Sequence, residues 1–140
     1  MKKVVLIPVL LVLFISGISC NGQVKSTETE KMVSSSKVTV YYFHFTSRCA
    51  TCLAVEQNAL KAMGSLFPNE IKAGDYKFTS LNLDEASTKA LADKLGVGGQ
   101  ALLVVSGDKK LDITSSAWLA ARDLEKMKKE LKSGIEKVIF

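Results

Sequence analysis

Val38 to Cys52 reads VTVYYFHFTSRCATC. Val38 to Phe45 is β-branched and aromatic, which is the composition of a strand. Both of its alternating faces are apolar, with Val38, Val40 and Tyr42 on one and Tyr41, Phe43 and Phe45 on the other. A strand covered on both faces belongs inside an α/β sheet. A short polar turn then delivers Cys49 and Cys52 to the start of a helical pattern. A Cys-x-x-Cys pair at a strand-to-helix junction reads as a redox dithiol. The unpaired N–H groups of a helix N-terminus carry partial positive charge, and that charge favours thiolate over thiol on the first cysteine. Arg48 adds a full positive charge beside it. Cys52, one helical turn later, is placed to close a disulfide with Cys49 and to resolve a mixed disulfide. The chemistry asks for no cofactor beyond the Cys49–Cys52 disulfide itself.

Downstream, Leu53, Leu60, Met63 and Phe67 recur at mainly three-, four- and seven-residue spacings, so a helix runs from Ala50 with these as its apolar stripe. Pro68-Asn69 ends it. Tyr76 to Leu83 reads as a second strand, closed by Asp84-Glu85. Ser87 is placed to cap a short helix, Thr88 to Leu95, with Gly96 at its C-terminus. Ala101 to Val105 is another uninterrupted apolar run, hence another inner strand. Lys109 to Thr114 alternates polar and apolar after the Gly107-Asp108 turn and forms the outer strand of a hairpin. Ser115 or Ser116 then caps a long final helix with the stripe Leu124, Met127, Leu131, Ile135 and Val138, and Gly134 weakens that helix near its end. The expected fold class is α/β, a central mixed four-stranded sheet flanked by helices in the order β-α-β-α-β-β-α.

Upstream, Met1-Lys2-Lys3 precedes the apolar run Val4 to Ile18, a pattern of export signal that is too short for a stable span. Cys20 directly follows it, after Gly17-Ile18-Ser19, and resembles the lipobox cysteine of bacterial lipoproteins, although Gly17 stands where that family usually has Leu. Ordinary secretion with an incidental cysteine is the alternative. Acylation of Cys20 would leave one cysteine pair and no orphan thiol among the three cysteines in an oxidising compartment. Residues 1–19 are therefore expected to be a signal peptide, 20–36 a lipid-anchored polar tether and 37–140 the folded domain. The expected location is the periplasm or cell envelope, with the membrane reached through lipid on Cys20.

The 140 residues, 47% of them apolar, suffice for one core. Without Lys2 and Lys3 the formal charge falls from +5 to +3, and the later lysines alternate with acids. No basic stripe interleaved with aromatics is visible, so nucleic acid is not an expected partner. The partner class is instead a protein thiol or disulfide. His44, five residues before Cys49 on the strand, could stabilise a thiolate or be a semi-exposed packing residue. Arg48 could lower the Cys49 pKa or be a solvated turn residue. Two rival readings of the pair remain at this point. One is an inert local disulfide, and the other is a non-catalytic binding module that docks on a partner or holds a metal or cluster. A self-contained structural zinc site would need four ligands, and apart from Cys20 the chain offers two cysteines and one histidine.

The element order, with FHFTSRCATC at the turn, LNLDEASTKALADKLGVGG across the second strand and helix, and ALLVVSGDKKLDI in the hairpin, resembles the thioredoxin fold over about Val38 to Phe140. The resemblance implies a thiol–disulfide oxidoreductase. CATC with its preceding arginine, together with AWLAARDLEKMKKEL, is similar to a bacterial thioredoxin-like family labelled nitrophenyl-compound nitroreductase subunits. That likeness implies an accessory role in nitroreduction, while no flavin-binding signature accompanies it. Two departures stand out. Thioredoxins carry a cis-proline before the hairpin, where this chain has Ala101, and a non-proline residue there favours a trans bond. They also bury an acid beneath the second cysteine, and counting back from Cys49 places Phe43 at that position.

Overall fold

The computed structural model describes residues 36–140. The expected export signal, Cys20 and all but the last residue of the tether lie outside the described residues.

Four strands form one sheet in the order β2-β1-β3-β4: β1 (Val38–His44), β2 (Tyr76–Asn82), β3 (Ala101–Ser106) and β4 (Lys109–Asp112). β1 pairs in parallel with β2, from Val38 opposite Tyr76 to His44 opposite Asn82. It pairs antiparallel with β3, from Thr39 opposite Val105 to Phe43 opposite Ala101. β3 and β4 close the hairpin. The two apolar runs, β1 and β3, therefore lie in the middle, as their two-faced apolarity requires.

Strand alternation divides the core into two layers. Val38, Val40, Tyr42, Leu102 and Val104 face α1 (Ala50–Leu66) and the last helix. Tyr41, Phe43, Ala101, Leu103 and Val105 face the opposite way, where Leu91 and Ala92 of a single helix cover them. The mixed four-stranded sheet with flanking helices is thus present, with two additional short helices beyond the expected order.

The first of these, α2 (Pro68–Ala73), begins at the proline expected only to end α1. Both events occur there. Phe67 leaves the helical region at φ −132°, ψ 47°, and Pro68 then occupies a helix start, where its missing N–H costs nothing. α3 (Ala86–Leu95) starts after Glu85, which holds the N-cap position without a side-chain cap, and Ser87 lies inside the helix. It ends at Gly96, whose φ of 67° is left-handed backbone that glycine adopts without strain.

The expected long final helix is two helices, α4 (Thr114–Leu119) and α5 (Leu124–Ile139), with Ser115 and Ser116 inside the first. The break is stabilised from both sides. The Asp123 carboxylate accepts from the Lys126 N–H and caps α5, while Asn58 Nδ2 of α1 donates to the Ala121 carbonyl at 2.8 Å. The α5 stripe of Met127, Leu131, Ile135 and Val138 is buried as expected.

Half of the expected α1 stripe holds, with Met63 buried and Phe67 packed against the core, and half does not. Leu53 and Leu60 are 40% and 54% exposed, and the inward residues are Cys52, Val55, Ala59, Ala62 and Met63. The face is turned by about one residue, roughly 100°. Ala59 and Ala62 meet the neighbouring elements with small side chains, which leaves the large leucines outside.

Candidate functional site

Cys49 is the N-cap of α1. Its extended backbone (φ −78°, ψ 164°) ends the turn, and its sulfur takes the place of a capping oxygen by accepting from the Cys52 N–H at 3.3 Å. Both cysteines are free thiols, Cys49 exposed and Cys52 only 4% exposed. The structure therefore brings the two sulfurs together at the helix start and gives them unlike surroundings. Hydrogen bonding from the Cys52 thiol, then from the Cys52 N–H, holds the Cys49 thiol below its ordinary pKa. Burial, reinforced by the thiol bond to Cys49, pushes Cys52 up. The first sulfur is a water-reachable thiol of raised acidity and the second a shielded thiol behind it.

The side chain beneath Cys52 is Tyr42 and not Phe43, correcting the count made back from Cys49. Tyr42 shares the parity of Val38 and Val40 and so faces α1, whereas Phe43 is packed into the opposite layer. The Tyr42 hydroxyl donates to the Cys52 carbonyl at 2.8 Å. Burial and the nearby sulfur of Cys52 push its phenol up to about 12, so it remains a neutral donor throughout the physiological range.

His44 stacks on the Tyr42 ring from one side (centroids 5.6 Å), and Trp118 leans on it at 6.1 Å. His44 is half-buried, with Nδ1 2.9 Å from the Phe45 carbonyl. A carbonyl only accepts, so Nδ1 carries a proton in this contact. The ring supports the end of β1 through that contact and the Tyr42 stack, with no hydrogen bond to either cysteine.

Arg48 is neither directed at Cys49 nor solvated. Its Nη1 bonds Glu56 Oε2 on the second turn of α1. Glu56 was not singled out by sequence reasoning, because one acid on the polar side of a helix carries no distinguishing signal.

Ala101 opens β3 opposite Phe43, at the dithiol end of the sheet, and its methyl is buried in the layer away from α1. No peptide bond among the described residues is cis, so Gln100–Ala101 is trans, as expected for a non-proline residue. An open cleft of about 420 Å³ runs beside it, lined by Gly98, Gln100, Lys110 and Ser115 among others. No group of three or more His, Cys, Asp or Glu residues among the described residues is arranged to hold a metal ion.

No protein-family model and no curated protein matches the chain. A solved structure described as that of a malarial protein is similar over 74% of this chain and 99% of its own, at 17% identity and a TM-score of 0.48.

The turn before the dithiol is held by the end of β2. The Leu83 N–H donates to the His44 carbonyl at 2.7 Å, Asn82 Nδ2 donates to Thr46 Oγ1 at 2.9 Å, and the Thr46 N–H donates to Asp84 Oδ2 at 2.8 Å. The parallel register that sets Asn82 beside His44 makes this possible. A polar Asn-x-Asp at the end of a strand parallel to β1 was the available signal.

The Thr46 N–H bond holds the Asp84 carboxyl below its ordinary range. Because the folded value is depressed, the tie is complete above about pH 4 and is lost as pH falls through the folded value. Exchange of the Thr46 amide, relative to its intrinsic rate, should therefore be slow at neutral pH and accelerate in acid. Asp84→Asn keeps an acceptor without the charge, so its Thr46 amide should exchange a few-fold faster at pH 7 and show no such acid transition.

Proposed function

We propose that this chain is an exported, lipid-anchored thiol–disulfide oxidoreductase of thioredoxin-like fold, working through Cys49 and Cys52. The observation that carries the reading is the inequality of the two thiols. Cys49 is exposed at a helix N-cap and its acidity is raised by hydrogen bonds, while Cys52 is buried one turn behind it with its acidity lowered. An inert structural pair gains nothing from that difference, whereas exchange is favoured by an accessible and more acidic attacking thiol. The strand order β2-β1-β3-β4, with one parallel and two antiparallel pairings, supports the thioredoxin-like reading. The charged leader, the apolar run and Cys20 support export and anchoring.

In the reducing direction the Cys49 thiolate attacks one sulfur of a partner disulfide. An Sγ–S bond forms, the partner S–S bond breaks, and one partner thiolate leaves to take a proton from water. Cys52, losing its proton to solvent as it attacks, then displaces the second partner thiolate from Cys49 Sγ. Two electrons pass to the partner, and the chain keeps the Cys49–Cys52 disulfide. The reverse sequence oxidises a partner dithiol. The pair itself is the only redox group this cycle uses.

The test is insulin reduction and equilibration with glutathione, comparing wild type with Cys49→Ser. Wild type should reduce insulin with dithiothreitol as electron source and reach a defined dithiol–disulfide equilibrium, and Cys49→Ser should do neither. Equal behaviour of the two proteins rejects the oxidoreductase.

A further inference from the structure

Arg48 is covalently adjacent to the proposed nucleophile, yet its guanidinium is bonded to Glu56, eight residues along the chain. The pair is unlike the others. Its side chains are 23% and 22% exposed, whereas every other ion pair among the described residues has one member more than 70% exposed. Charges removed from water act on each other and on their neighbours with less screening. Glu56 is also four residues after Cys52 and seven after Cys49, so all three lie along one side of α1. The Tyr42 hydroxyl, bonded to the Cys52 carbonyl, lies in the field of Arg48, Glu56, Cys49 and Cys52 together, which places the ion pair in the electrostatic environment of the dithiol.

We propose that Glu56 is a positioning residue for thiol–disulfide exchange, holding Arg48 in a neutral pair so that its charge is withheld from Cys49 and the dithiol is kept a better reductant. The inference rests on the oxidoreductase reading above. With Arg48 engaged, the Cys49 thiolate is stabilised by the helix-start N–H groups and the Cys52 thiol alone. A free guanidinium beside Cys49 would stabilise the thiolate further. Stabilising the reduced form relative to the disulfide makes the couple more oxidising. Glu56 thus tunes the reduction potential of the pair, through Arg48 and without touching the reacting sulfurs.

The experiment is the pH dependence of iodoacetamide alkylation of reduced full-length protein, with the modified cysteine assigned by mass spectrometry. Wild type, Glu56→Gln, Arg48→Gln and the double variant are compared. Glu56→Gln frees Arg48 and should raise the acid dissociation constant of Cys49 roughly threefold to tenfold, the effect of one unit charge at partly screened range. Arg48→Gln leaves an unpaired carboxylate and should lower that constant by a similar factor. The double variant should return to within about twofold of wild type, because a neutral pair has been replaced by two neutral groups.

Equilibration with glutathione should move in step. The Glu56→Gln disulfide should be more oxidising by about 15 to 30 mV, at 29.6 mV per decade. A merely structural pair would shift both single variants the same way, through loosening of the turn. That result, or an unchanged Cys49 constant in Glu56→Gln, overturns the proposal. Alkylation needs no electron-transfer partner, so this outcome is independent of whether insulin is reduced.

Discussion

Cys52→Ser is expected to stop at the mixed disulfide. The substitution removes the buried thiol and leaves the exposed one, so attack by Cys49 on a partner disulfide should proceed while release fails. In wild type the second displacement is intramolecular, across a single helical turn. In the variant it must await a thiol from solution. Well-oriented intramolecular groups behave as if present at very high concentration, so release by millimolar external thiol should slow by about 10³-fold or more.

A disulfide-linked adduct should therefore accumulate, visible on a non-reducing gel and abolished by dithiothreitol. Cys49→Ser should give no adduct, because Cys52 is shielded and its thiol is held protonated by burial. The Cys52→Ser protein also identifies the partner by trapping it, since the trapped species retains the partner's own cysteine. Equal adduct from both single variants would mean that the two sulfurs are interchangeable, and the division into nucleophile and resolving thiol would then be wrong. The Cys52 thiol donates to and stabilises the Cys49 thiolate, so Cys52→Ala, which removes the donor, should raise the Cys49 pKa, whereas the hydroxyl of Cys52→Ser keeps a donor there.

What the sequence made legible follows from which interactions are local. β1, the turn and the start of α1 are contiguous, and the Cys-x-x-Cys spacing alone places both sulfurs together at the first turn of one helix. β3 was legible for a similar reason, since a strand buried on both faces has an uninterrupted apolar run. The misreadings arose where contacts between distant segments decide. Leu53 and Leu60 looked like the inward stripe beside Met63 because they are large, but α1 turns Val55, Ala59 and Ala62 inward with Met63, a choice set by the elements it packs against. Tyr42 and Phe43 differ by one position and therefore by a whole face. Counting back from Cys49 could not choose between them, because the length of the turn that follows the strand is not written in the motif. Arg48–Glu56 and Thr46–Asp84 join a loop to a helix and to the turn after a neighbouring strand, and no periodicity marks such pairs.

Gly134 shows the same limit and yields the largest expected change in stability. By propensity it is a weak point in α5, about 1 kcal/mol worse than alanine. In the fold it is buried where α5 crosses the sheet, and a Cβ placed there would meet Val104 Cγ2 and Ile113 Cγ2, each at 3.3 Å. The glycine permits the close approach that lets Leu131, Ile135 and Val138 reach the core. Two effects therefore oppose each other in any substitution. For Gly134→Ala the gain in helix propensity nearly offsets a contact that must give by a few tenths of an ångström, and stability should change by less than about 1 kcal/mol.

Gly134→Val adds two further methyl groups on a β-branched side chain whose χ1 is restricted in a helix, so it cannot rotate both away from Val104 and Ile113. Overpacking of this kind typically costs 1–3 kcal/mol, and the small propensity gain does not cover it; the expected loss is about 2 kcal/mol. For a domain of this size that lowers Tm by roughly 10 °C. In urea, the midpoint should fall with the slope unchanged, because the folded state keeps its extent while losing packing. Cys49 alkylation should be unaltered under native conditions, since Val104 lies opposite Val40, three positions along β1 from the Phe43–Ala101 pairing at the dithiol end. A Gly134→Val protein as stable as wild type would mean that α5 is free to lift from the sheet, and the close contact at residue 134 would then have no part in holding the core together.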